Sequence, residues 1–294
     1  MEGINSKLIQ DFSSLIEDFC KDCRLRNMTE ETIRRYKSPI SEFATYFNNA
    51  NLTDINMQML KDFLNYLKFV KGVKHKTIEN DFTALSAFYD YLIFEGIMNQ
   101  NLILPFRKRY IRLYKNDSEN PQKQLLSVES MSKLVNSMLD PRDKAIAILL
   151  AKTGVRRGEL LKMDVDDINW ENYSIVLKLF HKRSNRTVFF DDECAIVLRR
   201  WLNIREKFSP KDKALFISYE SSERLSRNGA YQAVVKYAMR LGFHNSKSSR
   251  LEDHFGPHNF RHWFTTMLIR NGMQREYVKE LRGDTRGEAI DLYH

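Results

Sequence analysis

Apolar residues recur at intervals of three and four along the first part of the chain, with polar residues between them. This spacing places each set on one face of a helix and predicts two amphipathic helices. Thr29, followed by Glu30 and Glu31, gives the second helix a side-chain cap and two acidic residues in its first turn. The apolar positions are Leu8, Phe12, Leu15 and Phe19 in the first helix and Ile33, Tyr36, Ile40 and Phe43 in the second.

Two more helices are predicted before residue 105. The stretch NMQMLKDFLNYLKFV indicates the third. The fourth is predicted to begin at Thr77, to carry its apolar face from Ile78 to Leu92, and to end at Gly96. We therefore expect residues 1–104 to form a compact bundle of four helices.

A polar, basic connection follows the bundle. Pro105 interrupts the helical pattern and residues 117–124 are polar around Pro121, so residues 105–125 are predicted to be a linker. A basic linker between two domains can follow a phosphate backbone, but a solvated hinge has the same composition. The basic residues at its front are Arg107, Lys108, Arg109, Arg112 and Lys115.

Residues 126–294 are predicted to form a second domain of mixed structure. Ser127 caps one helix and Pro141 begins the next. The stretches YSIVLKLF and RTVFF are rich in β-branched and aromatic residues and are separated by HKRSN, which predicts a hairpin. Further helices are predicted at residues 191–206, 229–241, 258–271 and 275–282. The fold class is therefore mainly α with a small antiparallel β-sheet.

The charge of the chain narrows the class of partner. Its 294 residues are enough for two domains, and its formal net charge is +9. This excess of cations favours an acidic partner, nucleic acid foremost, although it also serves solubility. The first residues lack the apolar core of a signal peptide, and no apolar run is long enough to span a bilayer. We therefore expect a cytoplasmic protein.

The cysteines predict neither a disulfide framework nor a metal site. Cys20 and Cys23 form a CxxC pair inside a helical pattern, with no second ligand pair nearby for a structural zinc. A redox CxxC is expected after a strand. Cys20 is therefore predicted to pack on a helix face.

Two short stretches of the second domain carry candidate chemistry. TGVRRGELL joins two predicted helices and brings Arg156 and Arg157 to a turn, where one of them is expected to face an anion or Glu159. GPHNFRHWF places His258 and Arg261 on one face of the first turn of a helix. Each stretch alone is weak evidence, because similar spacings occur by chance.

Together the motifs resemble the tyrosine recombinases, the phage-integrase family. The shared pattern is T-G-x-R-x-x-E-L at 153–160, P-H-x-x-R-H at 257–262, L-x-G at 281–283, and a tyrosine ten residues after the glycine. The residues around RHWFTT and ELRGD are most similar to those of archaeal integrases and recombinases. The helical first domain also resembles the core-binding domain of this family, so the likeness covers the whole chain.

This resemblance implies a mechanism and its residues. Tyr293 corresponds to the nucleophile, which forms a 3′-phosphotyrosine and releases a 5′-hydroxyl. Arg156 and Arg261 would bind the non-bridging oxygens of the scissile phosphate, and His258 would hydrogen-bond or transfer a proton. The bond energy is kept in the phosphotyrosine, so no metal or other cofactor is implied. The partners implied are double-stranded DNA and further copies of the chain in a synaptic tetramer.

The resemblance also implies a basic residue on the hairpin turn. Lys182 is the candidate for protonating the leaving 5′ oxygen, and Arg183 and Arg186 are alternatives nearby. Candidate contacts with DNA also include Lys74, His75 and Lys76 at the start of the fourth helix, although a solvated basic turn would look the same.

One position departs from the family pattern. Asp284 stands after L-x-G, where the family usually has histidine or tryptophan. A carboxylate there would repel a phosphate unless an arginine lay between them. Asp284 could brace an active-site arginine, or the motif could be degenerate and the activity reduced.

Two other functions remain open from the sequence. A type IB topoisomerase uses similar residues but acts as a monomer at many sites, and a DNA-binding remnant would have lost its chemistry. Only His294 follows Tyr293, whereas the family usually continues into another helix. The expectation is therefore that the native chain is longer or was cut here, and that this form is monomeric in solution.

Overall fold

The computed structural model describes residues 12–48, 52–112, 124–178, 186–248 and 250–284. The chain divides into two compact units, Met1–Ser118 and Glu119–His294. Leu8 and most of the polar stretch around Pro121 lie outside the described residues.

The first unit is built from helices, as its periodicity predicts. Thr29 caps α2 by accepting a hydrogen bond from the backbone N–H of Thr32. The fourth helix begins at His75, two residues before the predicted start, and Gly96 follows its end with a positive φ of 71°. The four main helices are α1 (Phe12–Leu25), α2 (Glu30–Tyr46), α3 (Met57–Asn65) and α4 (His75–Phe94).

The core of the first unit is aromatic. Phe19, Phe43 and Phe88 are fully buried and each contacts neighbouring rings. Cys20 and Cys23 are both buried on the inner face of α1, so the prediction that Cys20 packs on a helix face is confirmed. The described residues contain no cluster of three or more His, Cys, Asp or Glu side chains that could hold a metal.

The helical bundle continues past the predicted start of the linker. A short helix, α5 (Ile103–Phe106), runs directly into a π-helical turn, Arg107–Ile111. Phe106 stacks on Phe82 of α4 with ring centroids 5.3 Å apart, and Ile111 is buried in the same core. Pro105 does not end the helical segment, because the side chains of Phe106 and Ile111 pack the segment against the core that contains α4. Arg107, Lys108 and Arg109 therefore belong to the first unit.

The second unit packs helices around one buried helix. Residues 145–151 of α7 are apolar and buried on every side, and α9, α10 and α11 pack against this helix. The predicted caps are present: Ser127 accepts from the N–H of Ser130, and Pro141 begins α7. The helices are α6 (Val128–Asn136), α7 (Pro141–Thr153), α8 (Arg157–Leu160), α9 (Asp192–Arg205), α10 (Arg227–Arg240), α11 (Pro257–Arg270) and α12 (Arg275–Arg282).

A small antiparallel sheet lies beside these helices. The predicted pair of strands is present as β2 (Ser174–Leu177) and β3 (Arg186–Phe189), with Ile175 opposite Val188. A further short strand, β1 (Ile168–Asn169), pairs with β2 on its other side. The predicted fold class, mainly α with a small antiparallel sheet, is confirmed. None of the described helices is long and apolar enough to cross a membrane.

Candidate active site

Arg156 stands at a sharp turn between α7 and α8. Gly154 ends α7 in the left-handed region, with φ 59°, and a Cβ there would lie 2.3 Å from the ring of Phe264. Only glycine fits this close approach, so the chain turns at once and Arg156 precedes the first turn of α8. Its backbone N–H donates to Glu159 Oε2 at 2.7 Å, which fixes the turn.

Glu159 is a buried anion that organises two arginines. Arg186 donates to both of its oxygens, each at 2.9 Å, and Arg156 Nη1 donates to Oε1 at 3.0 Å. Burial raises the pKa of Glu159, but hydrogen bonds and the charge of Arg186, together with the N–H and charge of Arg156, lower it to about 2. Glu159 is therefore ionised at neutral pH.

Arg261 reaches the same place from α11. Its side chain is only 2% exposed. Nη1 donates to the carbonyl of Gly154 at 2.8 Å and Nη2 to that of Arg282 at 2.9 Å. Burial and repulsion from Arg156 and Arg282 lower the pKa of Arg261 to about 9, while Asp284 opposes the shift, so the guanidinium stays charged at neutral pH.

Asp284 joins the two candidate phosphate-binding arginines. Its Oδ1 accepts from Arg156 Nη2 at 2.5 Å and from Arg261 Nη2 at 3.0 Å. Its Oδ2 forms an ion pair with Arg282 Nε at 3.0 Å. The side chain of Asp284 is 6% exposed, so it holds the arginines from inside the protein.

Gly283 allows the end of α12 to approach β3. It has φ 61°, and a Cβ there would lie 2.6 Å from Arg186 Nη1. Arg186 Nε in turn donates to the carbonyl of Leu281 at 3.0 Å. The end of α12 is thus bonded to the arginine that neutralises Glu159.

The cluster keeps a positive charge and faces a cavity. Four guanidinium groups, of Arg156, Arg186, Arg261 and Arg282, surround two carboxylates, which leaves two positive charges. A cavity of about 470 Å³ is lined by Arg156, Arg261 and His258, among other residues. Neither carboxylate is among its described lining residues, so the cluster presents cations to the cavity. Such a site suits an anion with several oxygens.

The other predicted site residues are placed as follows. His258 is exposed on the first turn of α11, and Arg157 lines the cavity beside Arg156. Lys182, Arg183 and Tyr293 lie outside the described residues.

The predicted DNA contacts of the first unit fall around a different cavity. His75, Arg107 and Lys108 line it. Lys74, Lys76 and Arg109 are exposed and are not in its lining.

The sequence motifs do not predict two arginines of the cluster. They offer Arg186 only as an alternative to Lys182, and they do not indicate Arg282. The available signal was their position: Arg186 opens a predicted strand, and Arg282 stands inside L-x-G. Neither position indicates an ion pair with a buried carboxylate, which Arg186 forms with Glu159 and Arg282 with Asp284.

Comparison with family models decides the relationship. Residues 123–294 match the model of the phage integrase family, and residues 15–96 match the model of its N-terminal SAM-like domain. The chain belongs to the phage integrase family. Both matches fall where the sequence pattern had indicated a recombinase.

Curated relatives in this family extend over most of the chain. Tyrosine recombinase XerC of Haemophilus influenzae is 26% identical over 275 residues, covering 91% of this chain and 87% of that protein. TnP I resolvase of Bacillus thuringiensis is 25% identical over 282 residues, covering 94% and 93%. These relatives are bacterial, so the finer resemblance to archaeal integrases receives no support from them.

Solved structures of integrases and recombinases share the fold. XerH recombinase in a post-cleavage complex with a palindromic difH substrate has a TM-score of 0.72 at 23% identity, covering 96% of this chain and 79% of that chain. A lambda integrase dimer bound to a COC′ core site has a TM-score of 0.74 at 16% identity, with coverage of 96% and 76%.

Proposed function

We propose that this protein is a site-specific tyrosine recombinase that cleaves and rejoins duplex DNA through a 3′-phosphotyrosine intermediate. The observation that carries the proposal is the pair of guanidinium groups, Arg156 and Arg261, that line one cavity and share Asp284 behind it. Family membership supplies the reaction class, and the cluster supplies the electrostatics that such a reaction needs.

The chemistry follows from the charge of the substrate. A phosphodiester repels nucleophiles, and its negative charge increases as the tyrosine attacks. Planar guanidinium groups that stay charged can donate to two non-bridging oxygens at once, and they stabilise the transition state most when they are held rigidly. Glu159 and Asp284 hold Arg156 and Arg261 in this way before substrate binds.

We propose roles for the residues that attack the phosphate, protonate the leaving group and transfer protons. Tyr293 attacks the phosphorus, the phosphotyrosine keeps the bond energy, and Lys182 protonates the 5′ oxygen that leaves. His258, exposed on α11 and lining the cavity, hydrogen-bonds the phosphate or transfers the tyrosine proton. Asp284 acts on the phosphate through the arginines.

We assign residues 1–104 to DNA binding as a core-binding domain and residues 126–294 to catalysis. Residues 105–125 are assigned to the linker, whose first part, up to Ile111, packs on the first unit. By analogy with the lambda integrase dimer bound to a COC′ core site and the lambda integrase tetramer bound to a Holliday junction, the working form is a synaptic tetramer. An enzyme acting on DNA works in the compartment that holds the DNA, and we place it in the cytoplasm. The likeness to archaeal integrases remains a prediction.

Covalent trapping tests the proposal. Duplexes selected for binding from a random pool would be nicked near the bound site, so that cleavage releases a short fragment and strands the protein on the DNA. We expect an adduct that resists denaturant and disappears on proteolysis. If no adduct forms on the selected duplexes, the protein binds DNA without cleaving it. If the protein relaxes plasmids that lack the selected site, it is a topoisomerase.

A further inference from the structure

The first unit contains its own basic cavity, formed by two segments that are separate in the sequence. It encloses about 390 Å³ between the first turn of α4 and the segment from Leu104 to Arg112. His75 and Glu79 line it from α4, and Arg107, Lys108 and Arg112 line it from the other side. Both segments were predicted to be basic, but only the fold brings them together.

The charge of this cavity favours an anion. Three cationic side chains line it, whereas Glu79 is the one carboxylate in its described lining. Lys76 donates to Glu79 Oε2 at 2.7 Å and thus offsets its charge. This hydrogen bond and the charges of Lys76, His75 and Arg107 lower the pKa of Glu79, against a smaller effect of burial. The lining therefore carries an excess of positive charge.

Arg107 is held in place and still has donor capacity. Its Nη2 donates to Thr83 Oγ1 at 2.8 Å, which fixes the guanidinium against α4. Its Nε is buried and has no hydrogen-bond partner among the described residues. A buried donor without an acceptor is destabilising, so an anion that binds beside Arg107 and accepts from this N–H would be favoured.

The amino terminus of α4 adds to this preference. Its cap residue, Lys74, makes no side-chain hydrogen bond to the first turn, and that turn has no acidic residue. The first backbone N–H groups of a 20-residue helix thus keep their partial positive charge near His75.

We propose that this cavity binds one backbone phosphate of the DNA duplex, with the Arg107 guanidinium as its planar partner. The proposal rests on the proposed function, because it takes the bound anion to be a phosphodiester of the recombined DNA. Lys108 and Arg112 supply charge at the rim, and Thr83 orients the guanidinium. A phosphate held here fixes the beginning of the linker to the DNA.

Salt dependence of binding provides the test. The full chain with Tyr293→Phe, which binds without chemistry, is titrated with a duplex of about 30 base pairs at several NaCl concentrations. Each phosphate neutralised adds about 0.9 to the slope of log K against log salt concentration. We expect Arg107→Gln to lower the slope by about 1 and Lys21→Gln, on α1 and paired with Asp18, to leave it unchanged.

A charge-conserving variant separates a defined pocket from diffuse attraction. Arg107→Lys keeps the charge but loses the planar fork, so we expect it to bind at least several-fold more weakly than the parent. Equal binding by Arg107→Lys and the parent, or an unchanged slope for Arg107→Gln, would overturn the proposal. Lys108→Gln and Arg112→Gln change exposed side chains and should weaken binding without affecting the fold; if neither does, the cavity is not occupied by a phosphate.

Failure of this proposal is distinct from failure of the proposed function. A covalent adduct with the unmodified chain, combined with an unchanged slope for Arg107→Gln, would refute the cavity alone. A lowered slope for Arg107→Gln without any adduct would support the cavity and refute the recombinase.

Discussion

Arg186 and Glu159 form a two-point ion pair in the interior of the second unit, with both N–O distances 2.9 Å. The side chain of Arg186 is 9% exposed and that of Glu159 is 3% exposed. Glu159 also accepts hydrogen bonds from the backbone N–H and the guanidinium of Arg156. The ion pair therefore sets the position of Arg156, a candidate phosphate-binding group.

Loss of the Glu159 charge should destabilise the second unit. The pKa of Glu159 is lowered from 4.5 to about 2, so its contribution is present above pH 4.5 and is lost as the pH falls towards 2. That shift corresponds to about 3 kcal/mol. We expect Glu159→Gln to lower the free energy of unfolding at pH 7 by about this amount and to flatten its dependence on pH between 4.5 and 2.

Tryptophan fluorescence during urea unfolding measures this effect. Trp170, Trp201 and Trp263 are the three tryptophans of the chain and all lie in the second unit. Glu171→Gln, which neutralises an exposed carboxylate, is the control. Equal stability of the two variants would show that Glu159 does not support the fold.

Tyr293→Phe should separate binding from chemistry. The change removes one hydroxyl and no charge, so DNA affinity should stay within about twofold, while the covalent adduct should vanish because no nucleophile remains. Gel shift and adduct trapping measure the two properties on the same duplex. Adduct that persists would mean that another residue attacks the phosphate.

The two arginines at the α7–α8 turn should differ in their effect. Arg156 lines the cavity and donates to Glu159 and Asp284, so Arg156→Ala should lower the cleavage rate at least about 100-fold. Arg157→Ala should reduce DNA affinity or stability more than the rate. Single-turnover cleavage at saturating protein distinguishes these effects, and the opposite ranking would reassign the phosphate contact to Arg157.

Asp284 should help cleavage although it is an anion. Without its carboxylate, Arg156, Arg261 and Arg282 would repel one another and lose their fixed orientation. We expect Asp284→Ala and Asp284→Asn to lower the single-turnover rate, and Asp284→His to give no gain over the parent. A faster Asp284→His enzyme would favour the interpretation of a degenerate motif.

Gly283→Ala should disturb the site more than a comparable change elsewhere. Alanine at a positive φ is strained by about 1 kcal/mol, and here its Cβ would also meet Arg186 Nη1 at 2.6 Å. Gly272→Ala is the matched control, since Gly272 has φ 85° and no atom within 4 Å of the added Cβ. Both variants should lose stability, but only Gly283→Ala should lose cleavage activity. Equal activities would show that the approach to Arg186 is unimportant.

Local signals in the sequence determined the helices and their ends. Periodic apolar residues, the caps Thr29 and Ser127 and the leading Pro141 act over one or two turns, so they can be recognised without the fold. The same holds for Arg156, His258 and Arg261 as candidates, because family motifs are short.

The tertiary structure decided which charges meet. Glu159 bonds Arg186, 27 positions away, and Asp284 bonds Arg156, 128 positions away; neither spacing has a periodicity that a sequence displays. The basic cavity of the first unit arises similarly, since Phe106 and Ile111 fold the segment predicted as linker back onto α4 and bring Arg107 to Thr83. Packing of the apolar core places these charged groups in the interior, where each needs a partner of opposite charge. Which groups are buried depends on how the whole chain packs rather than on neighbouring residues.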